Sequence, residues 1–219
     1  MDKQDPLIVV AKPGVNHCQN PTGWLGRLFL RNMNSRHAKV TDWGIAQIVI
    51  GRSDTILDVG CGGGRTISKL AAVATEGRVY GVDYSKESVS ISAKMNQKAI
   101  DKGQVEIIDA SVSQLPFPAN MFDLITAVET HFWWPNLPGD MREVFRVLKP
   151  RGRLVVIAEI YKGANSTTAK LAEKYLHSSG MALLSVDEHR ELLARAGFSQ
   201  VHISTQPDKG WICCIADKS

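Results

Sequence analysis

The sequence predicts an α/β fold with a mostly parallel sheet and an antiparallel hairpin at its end. Short apolar runs alternate with segments of helical spacing from about residue 55 onward. Such alternation indicates a parallel sheet, because a parallel pair of strands needs a long crossover, usually a helix. The last two apolar runs, Gln200–Thr205 and Trp211–Ala216, are joined only by residues 206–210. That loop is too short for a helical crossover, so these two runs predict an antiparallel hairpin.

The remaining elements follow from apolar runs, helical spacing and capping residues. Five strands are predicted before the hairpin: Thr55–Val59, Arg78–Val82, Val105–Ile108, Phe122–Val128 and Leu154–Ile160. Helices are predicted over Arg65–Ala74, from the N-cap Ser85 toward Asp101, and over Asp140–Leu148 and Val186–Ala196. The first 50 residues or so are predicted to be helical, with one helix starting in Gly23–Arg27 and a second near Thr41–Ile50.

Size and composition are those of one globular domain. The chain has 219 residues, of which 44% are hydrophobic and 22% charged. A net charge of +4 is far below the charge density of a dedicated nucleic-acid binder. No run approaches the roughly 18 apolar residues of a membrane span.

The N-terminus and the cysteines indicate the compartment. The apolar run Leu7–Ala11 is shorter than a signal-peptide core of about 7–15 residues. We therefore expect a cytoplasmic protein. The four cysteines form no CxxC pair, so neither a disulfide framework nor a metal site is expected.

The most informative segment is Ile56–Gly64, a buried strand that runs into a glycine turn and then a helix. Missing Cβ atoms allow a ligand to lie directly on the backbone, and the helix start offers unpaired N–H groups. A dinucleotide loop would need glycines at the first, third and sixth positions, but counting from Gly60 the sixth is Arg65. The pattern is instead an acid followed by alternate glycines: Asp58, Gly60, Gly62 and Gly64.

This D-x-G-x-G-x-G pattern resembles the S-adenosylmethionine (SAM) loop of class I methyltransferases. Further segments resemble that family in the same order: Asp83 after the second strand, Asp109-Ala110 after the third, Leu115–Phe117 and Phe122–Ile125 around the fourth, and Arg142–Gly152 before the fifth. The resemblance covers about residues 50–217 and is greatest to small-molecule methyltransferases such as those of quinone biosynthesis. It implies a Rossmann-like, doubly wound seven-stranded sheet of order 3-2-1-4-5-7-6. It also implies a single domain, with residues 1–50 as a helical lid and 51–219 as the SAM-binding core.

The resemblance implies SAM as cofactor, with S-adenosylhomocysteine as product. The cofactor-binding residues that it implies are Asp58, Gly60, Gly62, Gly64, Asp83, Tyr84, Asp109, Ala110 and Glu129. Asp83 follows Gly60 by 23 residues, close to the roughly 20 typical of a ribose-binding acid. A carboxylate can accept both ribose O–H groups, and Asp109 is expected at the adenine amine.

Several of these residues also have a purely structural interpretation. Asp58 can accept hydrogen bonds from the N–H groups of the glycine loop. Asp83 can be a helix N-cap, and Asp109 can form a local cap or pair. Tyr84 can cover the adenine or lie on the surface.

The segment Glu129–Pro135 follows the fourth strand and is expected to face the transferred methyl group. We expect one of Trp133 and Trp134 in the pocket, where an aromatic face can hold a sulfonium. The alternative is that both pack the loop against a helix. His131 is the candidate catalytic base. No N/D-P-P-Y/F tetrapeptide is present here, which argues against exocyclic amines of DNA as acceptors. The candidate lid residues are Trp24, Arg27, Arg31, His37 and Trp43, and one of the two arginines can pair with the SAM carboxylate.

The predicted function is methyl transfer from SAM to a small-molecule acceptor by in-line displacement. Two alternatives remain at this stage: an NAD-dependent oxidoreductase, and a non-catalytic SAM-binding or RNA-associating module. Arg65 and the terminal hairpin count against the oxidoreductase. Nucleic acid and membrane are disfavoured as partners, and the oligomeric state stays open, a homodimer included.

Overall fold

The computed structural model describes residues 37–175 and 181–219, whose seven strands form one sheet. The strands are β1 Thr55–Val59, β2 Arg78–Asp83, β3 Val105–Asp109, β4 Phe122–Val128, β5 Leu148–Ala158, β6 Ser199–Gln206 and β7 Trp211–Asp217. Their order is β3-β2-β1-β4-β5-β7-β6. The first five pair in parallel, and β7 is antiparallel to both β5 and β6. The predicted fold class, strand order and terminal hairpin are confirmed.

Helices cover both faces of this sheet. They are α1 Ala38–Ile45, α2 Arg65–Val73, α3 Lys86–Met95, α4 Gln97–Asp101, α5 Leu137–Val147, α6 Thr167–Tyr175 and α7 Val186–Ala196. The Ser85 hydroxyl accepts a hydrogen bond from the Ser88 N–H, as an N-cap does. Gly197, at φ 106°, ends α7 in the left-handed conformation predicted for a C-terminal glycine. None of the helices in the described ranges is long and apolar enough to cross a lipid bilayer.

The core consists of two apolar layers, one on each face of the sheet. Side chains alternate between the faces along a strand. Leu57 of β1 therefore packs in the layer that contains Val144 of α5. Its neighbour Ile56 packs in the layer that contains Ile67 of α2. All four side chains are fully buried, so β1 is fixed from both sides and the loop that follows it starts from a rigid position.

The largest difference from the sequence prediction is in β5, which begins at Leu148 rather than Leu154 and ends at Ala158 rather than Ile160. The residues around Pro150, which precede the predicted strand, instead form an irregularity within β5. The pairing with β4 shifts between Phe122 and Leu124, and Arg151 takes up a positive φ of 64°. Pro150 and Gly152 favour a turn locally, but pairing on both sides of the bulge keeps the segment in the sheet.

Three helices also differ from their predicted bounds. The helix predicted from Ser85 toward Asp101 divides at Asn96, whose side-chain amide donates to the carbonyl oxygens of Gly64 and Ser92. The helix predicted over Asp140–Leu148 begins at Leu137, because the Asn136 side chain accepts from the Gly139 N–H. α1 starts and ends earlier than the predicted 41–50, and α6 has no predicted counterpart.

Candidate active site

The carboxyl ends of β1, β2 and β4 border a cavity of about 570 Å³. This volume is within the range of small-molecule sites, and the position is the one expected for ligands of open parallel sheets. Most of the lining comes from residues 58–63, 82–84, 110–112, 128–130 and 133–135. His37 and Thr41, at the start of and within α1, line the cavity as well.

The glycine loop between β1 and α2 has three positive φ angles, at Gly60, Gly62 and Gly64. A Cβ at Gly60 would collide with the side chain of Thr130, and one at Gly64 would lie 2.8 Å from the Cα of Ser92. A Cβ at Gly62 would meet no protein atom within 4 Å. Packing alone therefore explains the first and third glycines. Gly62 lines the cavity, and no protein atom covers its backbone on that side. This is the arrangement expected where a ligand lies directly on the backbone.

Asp83 ties this loop to the end of β2. One carboxylate oxygen accepts from the Gly62 N–H at 2.9 Å and the other accepts from the Ser85 N–H at 2.9 Å. Burial raises the pKa of Asp83, and these hydrogen bonds act in the opposite direction. The Ser88 side chain also hydrogen-bonds to Asp83. An ionised carboxylate has about four acceptor positions, so roughly one remains for a ribose hydroxyl. The N-cap of α3 is Ser85, so the alternative interpretation of Asp83 as the cap is wrong.

Asp58 also lines the cavity, but its hydrogen bonding differs from the prediction. It accepts from the Thr126 hydroxyl of β4 at 2.6 Å, and burial raises its pKa to about 7. We expected it to accept from the loop N–H groups. That interpretation is wrong, because the N–H groups of Gly60 and Cys61 donate to the carbonyl oxygen of Val82.

The other predicted cofactor residues divide into two groups. Tyr84, Ala110 and Glu129 line the cavity together with Asp58, Gly60, Gly62 and Asp83. Tyr84 is 49% exposed, so its ring is at the rim. Asp109 pairs in register with Asp83 at the end of β3, yet it is exposed and outside the cavity lining. Gly64 is buried and also lies outside the lining. The pairing of β2 with β3 places Asp109 near the site, but Ala110 is the residue that lines the cavity.

His131 is buried and is not part of the cavity lining. Its Nε2 atom lies 3.0 Å from Nε2 of His189 on α7, and Nδ1 of His189 lies 2.7 Å from the carbonyl oxygen of Ser185. A carbonyl only accepts, so we assign the Nδ1 proton to His189, and His131 then donates from Nε2. Burial lowers the pKa of both rings. We therefore do not assign the predicted role of catalytic base to His131.

Aromatic residues form one side of the cavity. We expected one of Trp133 and Trp134 in the pocket, and both line it. The Trp134 indole donates to the Thr130 hydroxyl at 3.3 Å, which fixes its ring. Of the predicted lid residues, His37 lines the cavity, while Trp43 packs against Trp211 with ring centres 5.8 Å apart. The others, Trp24, Arg27 and Arg31, are outside the described residues.

Sequence reasoning missed Glu159, which directly follows β5. Its Oε2 lies 3.3 Å from Nδ1 of His37, which in turn lies 3.8 Å from Oε1 of Glu129. Burial raises the pKa of Glu129 to about 8; His37 lowers it and the neighbouring Glu159 raises it. An acid directly after a buried strand is the signal that identified Asp83, and it could have identified Glu159.

Comparison with known proteins decides the family. A family model described as a methyltransferase domain matches residues 57–156. A demethylmenaquinone methyltransferase of Geobacillus kaustophilus is 30% identical over 192 residues, covering 77% of this chain and 80% of that protein. The chain belongs to the class I SAM-dependent methyltransferase family. Its likeness to the quinone-biosynthesis group, expected from the motifs, is confirmed.

Other relatives match a smaller part of this methyltransferase. A demethylmenaquinone methyltransferase of Oceanobacillus iheyensis is 38% identical, covering 48% of this chain and 44% of that protein. The chain spans about half the length of several of the curated relatives it matches. A solved complex of the Haloferax volcanii Trm112 methyltransferase activator with a putative methyltransferase superposes with a TM-score of 0.73, at 20% identity, covering 89% of this chain and 95% of that one. At that identity the superposition shows the shared fold.

The cofactor of this family is SAM, and the residues of the cavity fit it. Gly62 leaves bare backbone beside open space, and the Asp83 carboxylate keeps about one acceptor position for a ribose hydroxyl. Trp133 and Trp134 supply aromatic surface of the kind that attracts a sulfonium.

Proposed function

We propose that this methyltransferase transfers the methyl group of SAM to a small-molecule acceptor by in-line displacement. When bound, SAM supplies an activated methyl group on a sulfonium, so the chain has little covalent chemistry to perform. Its task is to align donor and acceptor, which can contribute about 7–11 kcal/mol to a two-reactant step. In this proposal Asp83 binds the ribose, Gly62 supports the nucleoside, and Trp133 and Trp134 form the wall beside the sulfonium.

The observation that carries the proposal is the pair of hydrogen bonds to Asp83. Because one of them comes from Gly62, the carboxylate fixes the loop and presents its remaining acceptor position to the same cavity. A hydrogen bond to a charged group contributes about 1.5–3 kcal/mol. Losing the charge should therefore weaken nucleoside binding by roughly tenfold or more.

Calorimetry with S-adenosylhomocysteine tests the ribose assignment. We expect Asp83→Asn and Asp83→Ala to bind it at least about tenfold more weakly than the unmodified chain. Asp101→Asn is the matched control, since Asp101 ends α4 and pairs only locally with Gln97. An unchanged affinity in the Asp83 variants, with circular dichroism unchanged, would rule out the assignment.

The acceptor class is tested separately. Support for a small molecule comes from the cavity volume, the two tryptophans and the quinone methyltransferases among the relatives. Methyl-labelled SAM incubated with the chain and fractionated cell extract should yield label on small molecules. Label on RNA would contradict the acceptor class. A thermal shift with NAD rather than SAM would favour the oxidoreductase alternative, and SAM binding without any methyl release would favour the non-catalytic one.

A further inference from the structure

Three side chains that can ligate a metal come together, and two of them, His37 and Glu129, line the cavity. His37 precedes α1, Glu129 follows β4 and Glu159 follows β5. One nitrogen and two carboxylate oxygens, one from each residue, lie within 4.8 Å of one another. β4 and β5 are parallel neighbours, and the Glu129 N–H donates to the Ile157 carbonyl at 2.8 Å, so the sheet itself brings the two glutamates together.

Glu129 has the features of a side chain held for a ligand. It is only 7% exposed, and its Oε1 atom has no hydrogen-bond partner among the described residues. A buried acceptor without a partner is destabilising, and more so when it is charged. The residue also takes up a positive φ of 58°, a strained conformation for a residue other than glycine, and such strain clusters at ligand sites.

The second glutamate increases this cost. Two carboxylates close together repel each other when both are ionised. A bound cation would neutralise both charges and fill the open coordination at Oε1 of Glu129. Because Glu129 and His37 line the cavity, such a cation would border the space proposed for the reactants.

We propose that Nδ1 of His37, Oε1 of Glu129 and Oε2 of Glu159 form a binding site for a divalent transition-metal cation. Separations of 3.3 and 3.8 Å are close to the roughly 3.0–3.5 Å between donor atoms that share a metal at about 2.0–2.2 Å. A mixed imidazole and carboxylate set suits manganese, iron or zinc better than magnesium, which prefers oxygen alone. Three protein ligands leave coordination positions open to oxygen atoms of a further molecule.

Titration of the full chain with Mn²⁺, after chelator treatment, tests the site. Calorimetry and the loss of the free-Mn²⁺ electron paramagnetic resonance signal should both give one saturable site per chain. Each of three variants, Glu129→Gln, Glu159→Gln and His37→Ala, should bind Mn²⁺ at least about tenfold more weakly. Mutation of residues that only hydrogen-bond to metal ligands already costs that much affinity. Glu191→Gln is the control, because Glu191 forms an exposed ion pair with Arg195 far from the cluster in sequence.

Thermal unfolding separates a metal site from a merely structural cluster. Without metal, Glu129→Gln should keep or raise the unfolding midpoint, because it removes one of two facing carboxylates. It should also lose the rise in midpoint that Mn²⁺ gives the unmodified chain. A purely structural ion-pair cluster would instead be destabilised by this change and show no response to Mn²⁺.

Two results would overturn the assignment. One is the absence of saturable binding up to about 1 mM, the weak end of functional cation sites. The other is equal Mn²⁺ affinity in the three variants and the Glu191 control, which would put the ion elsewhere. S-adenosylhomocysteine binding is measured in parallel on the unmodified chain. Its failure would count against the proposed methyl transfer and leave the metal assignment standing.

Discussion

Two glycines provide a matched test of where the nucleoside lies. Gly62 and Gly103 have φ angles of 50° and 71°, and a Cβ at either would meet no atom within 4 Å. Gly62 lines the cavity, whereas Gly103 follows α4 on the surface and lies outside the cavity lining. Gly62→Ala and Gly103→Ala therefore add the same methyl group to the same kind of backbone. Only one of them adds it at the proposed cofactor surface.

The backbone cost should be similar for both variants. An alanine in the left-handed region costs about 1–2 kcal/mol. For a chain of this size that lowers the unfolding midpoint by roughly 2–8 °C. A methyl group forced into a filled contact surface costs about 1–3 kcal/mol more. Gly62→Ala should thus bind S-adenosylhomocysteine roughly 5- to 150-fold more weakly, while Gly103→Ala binds it as the unmodified chain does.

Calorimetry on both variants, with thermal unfolding as the stability measurement, decides the outcome. Equal affinities in the two variants, together with equal midpoint losses, would show that the ligand does not contact the loop at Gly62. A much larger midpoint loss in Gly62→Ala than in Gly103→Ala would contradict the open space beside Gly62.

Two further predictions concern buried titratable groups. Burial raises the pKa of Asp58 from 3.8 to about 7 in the native state. Between pH 3.8 and about 7 the native state therefore binds more protons than the unfolded state. The free energy of unfolding should fall as the pH rises through this range. Asp58→Asn should therefore gain stability relative to the unmodified chain as pH rises, and parallel urea-unfolding profiles would contradict this. The lowered pKa values of His131 and His189 act in the other direction, because the unfolded chain binds more protons below 6.5. His131→Gln keeps a hydrogen-bond donor for His189. The unfolding midpoint of this variant should fall less steeply below pH 6.5 than that of the unmodified chain, while methyl transfer persists. Loss of methyl transfer in a folded variant would restore His131 as a base.

Much of the fold was predictable because its signals are local. Each parallel strand is a short apolar run ended by an acid or glycine, and each crossover carries its own caps, as at Ser85 and Gly197. The glycine loop and Asp83 belong to one contiguous strand–helix–strand unit, so their spacing was readable along the chain. Errors arose where distant pairing overrides a local signal, as at Pro150, which the sheet keeps within β5.

The side chains of the site were less predictable than its backbone. The position of His131 after β4 suggested the cavity, but its ring pairs with His189, which is 58 residues away in the chain. Packing against Thr130 and Ser92 accounts for Gly60 and Gly64, and neither contact leaves a trace in the loop sequence. The cluster of His37, Glu129 and Glu159 likewise has no common motif.

The sequence by itself therefore determined the alternation of strands and helices, the glycine loop and the acid at 83, because each depends on neighbours within one unit of the chain. Only the tertiary structure decided which side chains share the cavity. That depends on which strands lie side by side and on the direction in which each buried side chain packs, and both are set by contacts between residues far apart in sequence.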